Sequence, residues 1–152
     1  MSDWDKRFMQ VAELVGSWST DRSRRVGCVV VGPDQEIWST GFNSFPRGVD
    51  DSTDERHARP AKYYWTEHAE RNAIYSAARR GVALAGCTLY VPWFPCVDCA
   101  RAIVQSGITR LVAHKPDIDD VRWGEEFRIG LVLLKEASVV IHFLDGEASS
   151  ET

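Results

Sequence analysis

The chain has 152 residues, 44% of them apolar and 26% charged, with a formal net charge of −4. That balance fits one compact domain with a single core, and an acidic chain without a basic tail or stripe argues against a long nucleic-acid partner. The longest apolar runs, such as Val26–Val31, are far too short to cross a bilayer, and the opening MSDWDKR carries no apolar signal-peptide core, so a cytoplasmic protein with no membrane partner is expected.

Trp4, Phe8, Val11, Ala12, Val15 and Trp18 recur at three- and four-residue steps, which predicts an amphipathic first helix. Val26–Val31 is β-branched and uninterrupted, the pattern of a buried strand. Gly32-Pro33-Asp34 breaks it, and Glu36–Phe42 resumes as the second arm of a hairpin. An irregular stretch from Asn43 to Trp65 follows, and segments of that length in a compact domain usually serve function. Thr66 can cap the next helix, with Glu67 and Glu70 in its first turn and Gly81 at its end. Thr88–Val91 reads as a strand, Cys96 to Ser106 as a helix started by Pro95 and stopped by Gly107, and Arg110–Ala113 as a strand. Phe127–Leu134 is helical in pattern and Val139–Phe143 is a last strand. Asp145–Thr152 is polar and reads as a flexible tail beyond a single domain spanning residues 1–144. Alternation of strands and helices after the hairpin predicts a sheet that is largely parallel there and covered on both faces. Right-handed crossovers would set the two middle helices on one face.

Of the four cysteines, Cys28 and Cys87 sit in apolar runs and read as small buried residues. Cys96 and Cys99 form a CxxC pair behind Pro95, while His68-Ala69-Glu70 opens the preceding helix. If both helices start at the same edge of the sheet, His68, Cys96 and Cys99 converge. One nitrogen and two thiolates suit Zn²⁺, and three protein ligands leave the fourth tetrahedral position open. Glu70 is then placed to take a proton from a zinc-activated water. The chemistry that follows is attack of zinc-bound hydroxide on an amidine-like ring carbon, with Glu70 carrying the proton to departing ammonia. A lone CxxC is also found in structural zinc pairs and redox sites, and a lone HxE arises by chance. The joint pattern, H-A-E followed by P-C-x-x-C, is the signature of zinc-dependent deaminases and is far more specific than either half.

Four stretches carry a resemblance to the deoxycytidylate (dCMP) deaminase family of the cytidine deaminase superfamily: Arg25–Val31, Gly41–Gly48 (GFNSFPRG), His68–Ile74 (HAERNAI) and Pro95–Ala100 (PCVDCA), continued by Ile103–Ile108. The similarity runs from about Trp4 to Phe143. It implies a three-layer αβα fold with a five-stranded mixed sheet flanked by helices, and a homo-oligomer, commonly a dimer or hexamer. It also implies zinc on His68, Cys96 and Cys99, proton transfer by Glu70, a ring carbonyl held by the Ala69 N–H, and a sugar 3′-hydroxyl bound by Asn43. Many relatives hold a second, structural zinc with cysteines in the loop before the histidine. The loop Val49–Trp65 has none, so one zinc per chain is expected. Ser44 stands where the family usually has glycine, in a segment that helps bind nucleotide effectors in allosteric members.

The expected reaction is dCMP to dUMP plus ammonia. The alternatives are a free nucleoside, a nucleobase or a modified ring; a polynucleotide substrate or a non-catalytic zinc module fits less well. A monophosphate needs cationic partners. Arg24 and Arg47 are the first candidates, within a wider set of Arg22, Arg25, Arg56, Arg59 and Lys62. Of the aromatics around the motifs, Phe94 and Trp65 are the candidates to wall a flat base, while Trp4, Trp18, Trp38 and Trp123 are assigned to core or subunit contacts.

Overall fold

The computed structural model describes residues 2–144; the segment expected to form a tail, 145–152, lies outside them. Helix α1 spans Asp3–Gly16. It begins with a capping box: the Asp5 N–H donates to the Ser2 hydroxyl at 3.1 Å, and the Ser2 N–H donates to the Asp5 carboxylate at 3.2 Å. Strands β1 (Gly27–Val31) and β2 (Ile37–Phe42) form the expected hairpin. Two single-turn helices, α2 (Asp54–His57) and α3 (Lys62–Trp65), punctuate the stretch expected to be irregular. The remainder is α4 (Ala69–Arg80), β3 (Thr88–Tyr90), α5 (Val97–Gln105), β4 (Arg110–Ala113), α6 (Gly124–Glu136) and β5 (Val140–Phe143). No helix among the described residues is long and apolar enough to cross a membrane.

The strands lie in the order β2-β1-β3-β4-β5. Strand β1 is antiparallel to both neighbours, whereas β3, β4 and β5 are parallel. The sheet is therefore mixed, with the parallel part confined to its second half. Period-two alternation divides the strand side chains between two layers. Val30, Leu89 and Leu111 face α4, α5 and α6, where Ala73, Ala77, Ile103, Phe127 and Leu134 meet them. Val29, Val31, Tyr90 and Val112 face α1, against Phe8, Met9 and Ala12. Helices on both faces give the three-layer arrangement expected from the sequence.

Two glycines let helices approach closely enough to fix this stacking. A Cβ at Gly27 would collide with the Ala12 carbonyl and the Gly16 backbone, and one at Gly41 would collide with the Ala69 carbonyl and the Ala73 amide. Gly41 thus seats the first turn of α4 directly on β2, which fixes His68 and Glu70 relative to the sheet.

Asp5, only 3% exposed, also ties α1 to the sheet. Its carboxylate accepts two bonds from the Arg110 guanidinium, both at 2.9 Å, and one from the Tyr90 hydroxyl at 2.7 Å. The Arg110 bonds, opposed by burial and aided by Tyr90, hold the Asp5 carboxyl well below its ordinary value of 3.8. Removing one partner of a buried pair leaves the other uncompensated. Asp5→Ala is expected to cost roughly 2–4 kcal/mol in urea unfolding at pH 7, a figure tempered by the partial exposure of Arg110. A depressed carboxylate pKa stabilises the fold fully above the unfolded value and loses that contribution as pH falls through the folded one. The gap between wild type and variant should therefore shrink below pH 3.8. A gap that is constant down to pH 2.5 would refute the assignment.

Candidate active site

The two motif-bearing helices start side by side. His68 is the N-cap of α4 (φ −79°, ψ 155°) and Cys96 the N-cap of α5 (φ −67°, ψ 169°). Thr66, expected to cap α4, is instead extended and closes α3. The reason is tertiary. Glu67 and Ser44 exchange backbone hydrogen bonds of 2.8 and 3.1 Å, which keeps the chain extended to Glu67 and delays the helix to Ala69. Glu67 thus sits outside the first turn, accepting from the His68 N–H at 3.1 Å and from Arg71 at 2.5 Å.

His68 Nδ1 lies 3.4 Å from both the Cys96 and Cys99 sulfurs. The three ligand atoms fall within 4.8 Å of one another, the spacing of a metal-binding group. One imidazole nitrogen and two sulfurs match the donor set of a three-ligand site with a free fourth position. Cys99 and its hydrogen bond, followed by His68, bring the Cys96 thiol down to about 4 against the opposing effect of burial. Cys96 and burial push Cys99 well above its ordinary value, so the pair carries one thiolate and one thiol. The bond to Cys96 raises His68, with burial working the other way.

Glu70, in the first turn of α4, is 4% exposed. Burial raises its carboxyl pKa, and His68 pulls it back. A carboxylate that is inclined to hold a proton beside a metal-binding group is suited to proton transfer near neutral pH.

Of these groups, His68, Cys96 and Glu70 line a cavity of about 420 Å³, a size fit for a small ligand. Ala69, Asn43, Arg24, Val26 and Thr66 line it. Asn43 is buried and anchored at both ends of its amide: Oδ1 accepts from the Val26 N–H at 2.9 Å and Nδ2 donates to the Arg24 carbonyl at 2.7 Å. The Arg24 guanidinium lies over the Trp93 ring, 3.6 Å from its centre.

Three expected pocket residues fall elsewhere. Phe94 is 2% exposed and packs on Phe127 and Phe143 at 5.8 and 6.4 Å, inside the core. Its neighbour Trp93 takes the cavity wall instead. Trp65 is outside the lining, stacked between Phe45 (6.3 Å) and the Arg56 guanidinium (3.9 Å). Arg47 is exposed and also outside the lining, in a turn closed by the Val49 N–H on the Pro46 carbonyl at 3.0 Å. Conversely, Asp120, Val121, Arg122 and Trp123, the segment leading into α6, line the cavity with Tyr63 of α3. Sequence reasoning missed that segment and assigned Trp123 to core or subunit contacts; it does pack against the core while also lining the cavity. Its one local signal was an aromatic and a cation directly before a helix start.

The family model described as "cytidine and deoxycytidylate deaminase zinc-binding region" matches residues 2–115. A protein of Aliivibrio fischeri described as an uncharacterized deaminase in the luxG 3′ region is 43% identical over 145 residues, covering 95% of each chain. The deoxycytidylate deaminase of Mus musculus is 32% identical over 142 residues, 90% of this chain and 77% of its own. Among solved structures, dCMP deaminase from the cyanophage S-TIM5 in complex with dCMP and dUMP aligns with a TM-score of 0.76 at 24% identity, over 95% of this chain and 99% of that one, which shows a common fold.

Proposed function

The chain belongs to the cytidine and deoxycytidylate deaminase family, hydrolases of C–N bonds, and from that premise we propose that it converts dCMP to dUMP and ammonia. The observation that carries this reading is Glu70, buried in the same helical turn that follows His68, with His68 and Cys96 of the His68–Cys96–Cys99 group lining the same cavity. A structural metal site has no use for an acid at that place. The deoxycytidylate deaminases among the relatives, and the dCMP and dUMP held by the cyanophage enzyme, support a pyrimidine monophosphate as substrate.

His68, Cys96 and Cys99 would hold one Zn²⁺ per chain. When bound, zinc supplies a Lewis acid that brings the pKa of water to about 7. Glu70 takes one proton from the attacking water and gives it to the ring nitrogen, then takes the second proton from the added hydroxyl and gives it to the departing amine. The water oxygen becomes the new ring carbonyl, and the amino group leaves as ammonia. Ala69 is the first residue of α4, so its N–H has no intrahelical acceptor and can donate to the existing ring carbonyl. Asn43, held rigid by the Arg24–Val26 backbone, has one further N–H and one further lone pair for a sugar hydroxyl. Trp93 offers a face to the base. A homo-oligomer in the cytoplasm completes the proposal.

Ammonia release measured on cytosine, cytidine, deoxycytidine, CMP, dCMP and guanine tests it. The expected result is the highest kcat/KM on dCMP. Turnover of the free base or nucleoside at equal or greater efficiency would replace the nucleotide reading, and no turnover of any cytosine compound would sink it.

A further inference from the structure

Segment 45–66 is closed at its neck by Ser44 and Glu67, whose backbones exchange hydrogen bonds of 2.8 and 3.1 Å. Beyond that neck no residue of the segment is buried, and neither α2 nor α3 sends a side chain into the core. Elements with so few buried contacts open at a small fraction of the global unfolding free energy. Yet this segment builds one side of the cavity, through Arg59, Lys62, Tyr63 and Thr66. Tyr63 reaches toward the loop before α6, where the Arg122 guanidinium is 5.1 Å from its ring centre. Something other than a hydrophobic core must hold this wall in place.

The contacts available for that are unequal. Phe45 stacks on His57 and Trp65, and Arg56 on Trp65, so these rings stiffen the segment internally without tying it to the body. Two ion pairs tie it to the turn before β1. Arg22 and Asp54 meet at 2.8 Å, but their side chains are 51% and 88% exposed, and pairs of that kind contribute little. Lys62 and Asp21 are only 12% and 6% exposed, and Nζ lies 3.1 and 3.2 Å from the two carboxylate oxygens. The Asp21 end is itself fixed. Its carboxylate accepts from the Ser23 and Arg24 N–H groups at 2.8 and 3.0 Å. Its own N–H donates to the Ser19 hydroxyl at 3.1 Å, and that hydroxyl donates to the Asn43 carbonyl at 2.7 Å. Burial works to raise the Asp21 carboxyl, but the Arg24 and Ser23 N–H groups, with Lys62, hold it below its ordinary value, so it is ionised at neutral pH.

We propose that the Asp21–Lys62 pair is a latch that holds segment 45–66 over the cavity, and that both residues are positioning residues for substrate binding, acting through Tyr63. The nature of the ligand rests on the deaminase reading; the latch itself does not. Breaking a shielded pair leaves a stranded charge, so the closed position is sharply defined, where an apolar tie would tolerate sliding. The pair joins the turn anchored on Asn43 to the helix that carries Tyr63, and so sets the distance between two walls. Glu70, His68 and the two cysteines stand beyond the neck, outside the part that opens.

Hydrogen exchange on the full-length, zinc-loaded protein without nucleotide reads the latch independently of turnover. The reporters are the Tyr63, Tyr64 and Thr66 N–H groups, which donate within the segment to the carbonyls of Pro60, Ala61 and Lys62. Lys62→Met keeps the side-chain length and removes the charge. It should exchange those amides about a hundredfold faster and leave those of α5 unchanged. Calorimetry should show dUMP binding weakened about threefold or more, because apparent affinity scales with the closed fraction, while kcat on dCMP stays within about twofold of wild type. Lys62→Arg should restore most of both effects. Asp21→Asn, which keeps an oxygen for the Ser23 and Arg24 N–H groups, should reproduce the loss, and the double variant should be no worse than Lys62→Met alone. Weaker dUMP binding with unchanged exchange would mean that Lys62 meets the nucleotide itself, and faster exchange with unchanged binding would mean that the segment does not shape the cavity; either overturns the latch. A protein that releases ammonia from dCMP yet shows exchange indifferent to Lys62→Met loses the latch and keeps the reaction. One with faster exchange and weaker dUMP binding in Lys62→Met, but no ammonia release in wild type, keeps the latch and loses the reaction.

Discussion

Glu70→Gln is expected to lower kcat on dCMP by roughly 10²–10⁴-fold, the range typical of a lost general acid–base group, while zinc content stays at one per chain. Glutamine keeps the shape and much of the hydrogen-bonding capacity of glutamate but cannot take a proton from water. It is not among the three ligand residues, so metal should be retained. The same substitution has a second, opposite signature. Burial raises the Glu70 pKa above its ordinary 4.5, which means the fold disfavours the ionised carboxylate. In metal-free wild type, stability is therefore lost as pH rises from about 4.5 through the folded-state value, and the glutamine variant escapes that loss. Melting of the metal-free proteins at pH 7 should show the variant as the more stable one, a local case of activity maintained against stability. A variant that keeps more than a tenth of wild-type kcat, or that loses its zinc, would remove Glu70 from the proton-transfer role.

The strand at Val26–Val31 was legible because β-branched content and burial coincide there, and the helix stop at Gly81 because its φ of 70° suits glycine. The group of His68, Cys96 and Cys99 could be anticipated because both helix starts are written in short local motifs. What could not be read was set by partners distant in sequence. Thr66 has the chemistry of a cap, yet the bridge between Ser44 and Glu67 decides where α4 begins. Trp93 and Phe94 are adjacent aromatics, and only the positions of Phe127 and Phe143 determine which of them enters the core. Asp5 looks like an ordinary acid in a first helical turn, but Arg110, more than a hundred residues away, makes it a buried anchor. The wall formed by Asp120–Trp123 carries no motif at all. It becomes part of the site because α6 packs beside α5 and brings its leading loop over the cavity.

Cys99→Ala should abolish stoichiometric zinc binding and reduce deamination below detection, because it removes the most deeply placed of the three proposed ligands and a two-ligand remnant does not make a tight zinc site. The effect on stability depends on metal. A ligand that binds only the folded state stabilises it by RT ln(1 + [L]/Kd), about 4 kcal/mol at a thousandfold excess over Kd. Zinc should therefore raise the melting temperature of wild type by several degrees and leave that of Cys99→Ala unmoved. Proton release gives the mechanism a quantitative check. Cys96, at about 4, is already a thiolate at neutral pH, whereas Cys99 is held well up as a thiol and His68 is raised above 6.5. Only neutral imidazole and thiolate bind metal, so zinc must displace one proton from Cys99 throughout the neutral range and a second from His68 on the acidic side. Zinc affinity should accordingly fall about tenfold per pH unit while Cys99 alone carries a displaceable proton, and about a hundredfold per unit once His68 is protonated as well. Competition against a chromogenic chelator between pH 5 and 8 measures both slopes. Affinity that is flat across that interval would mean that these residues do not bind zinc as thiolate and imidazole, and the catalytic reading of the site would fall with it.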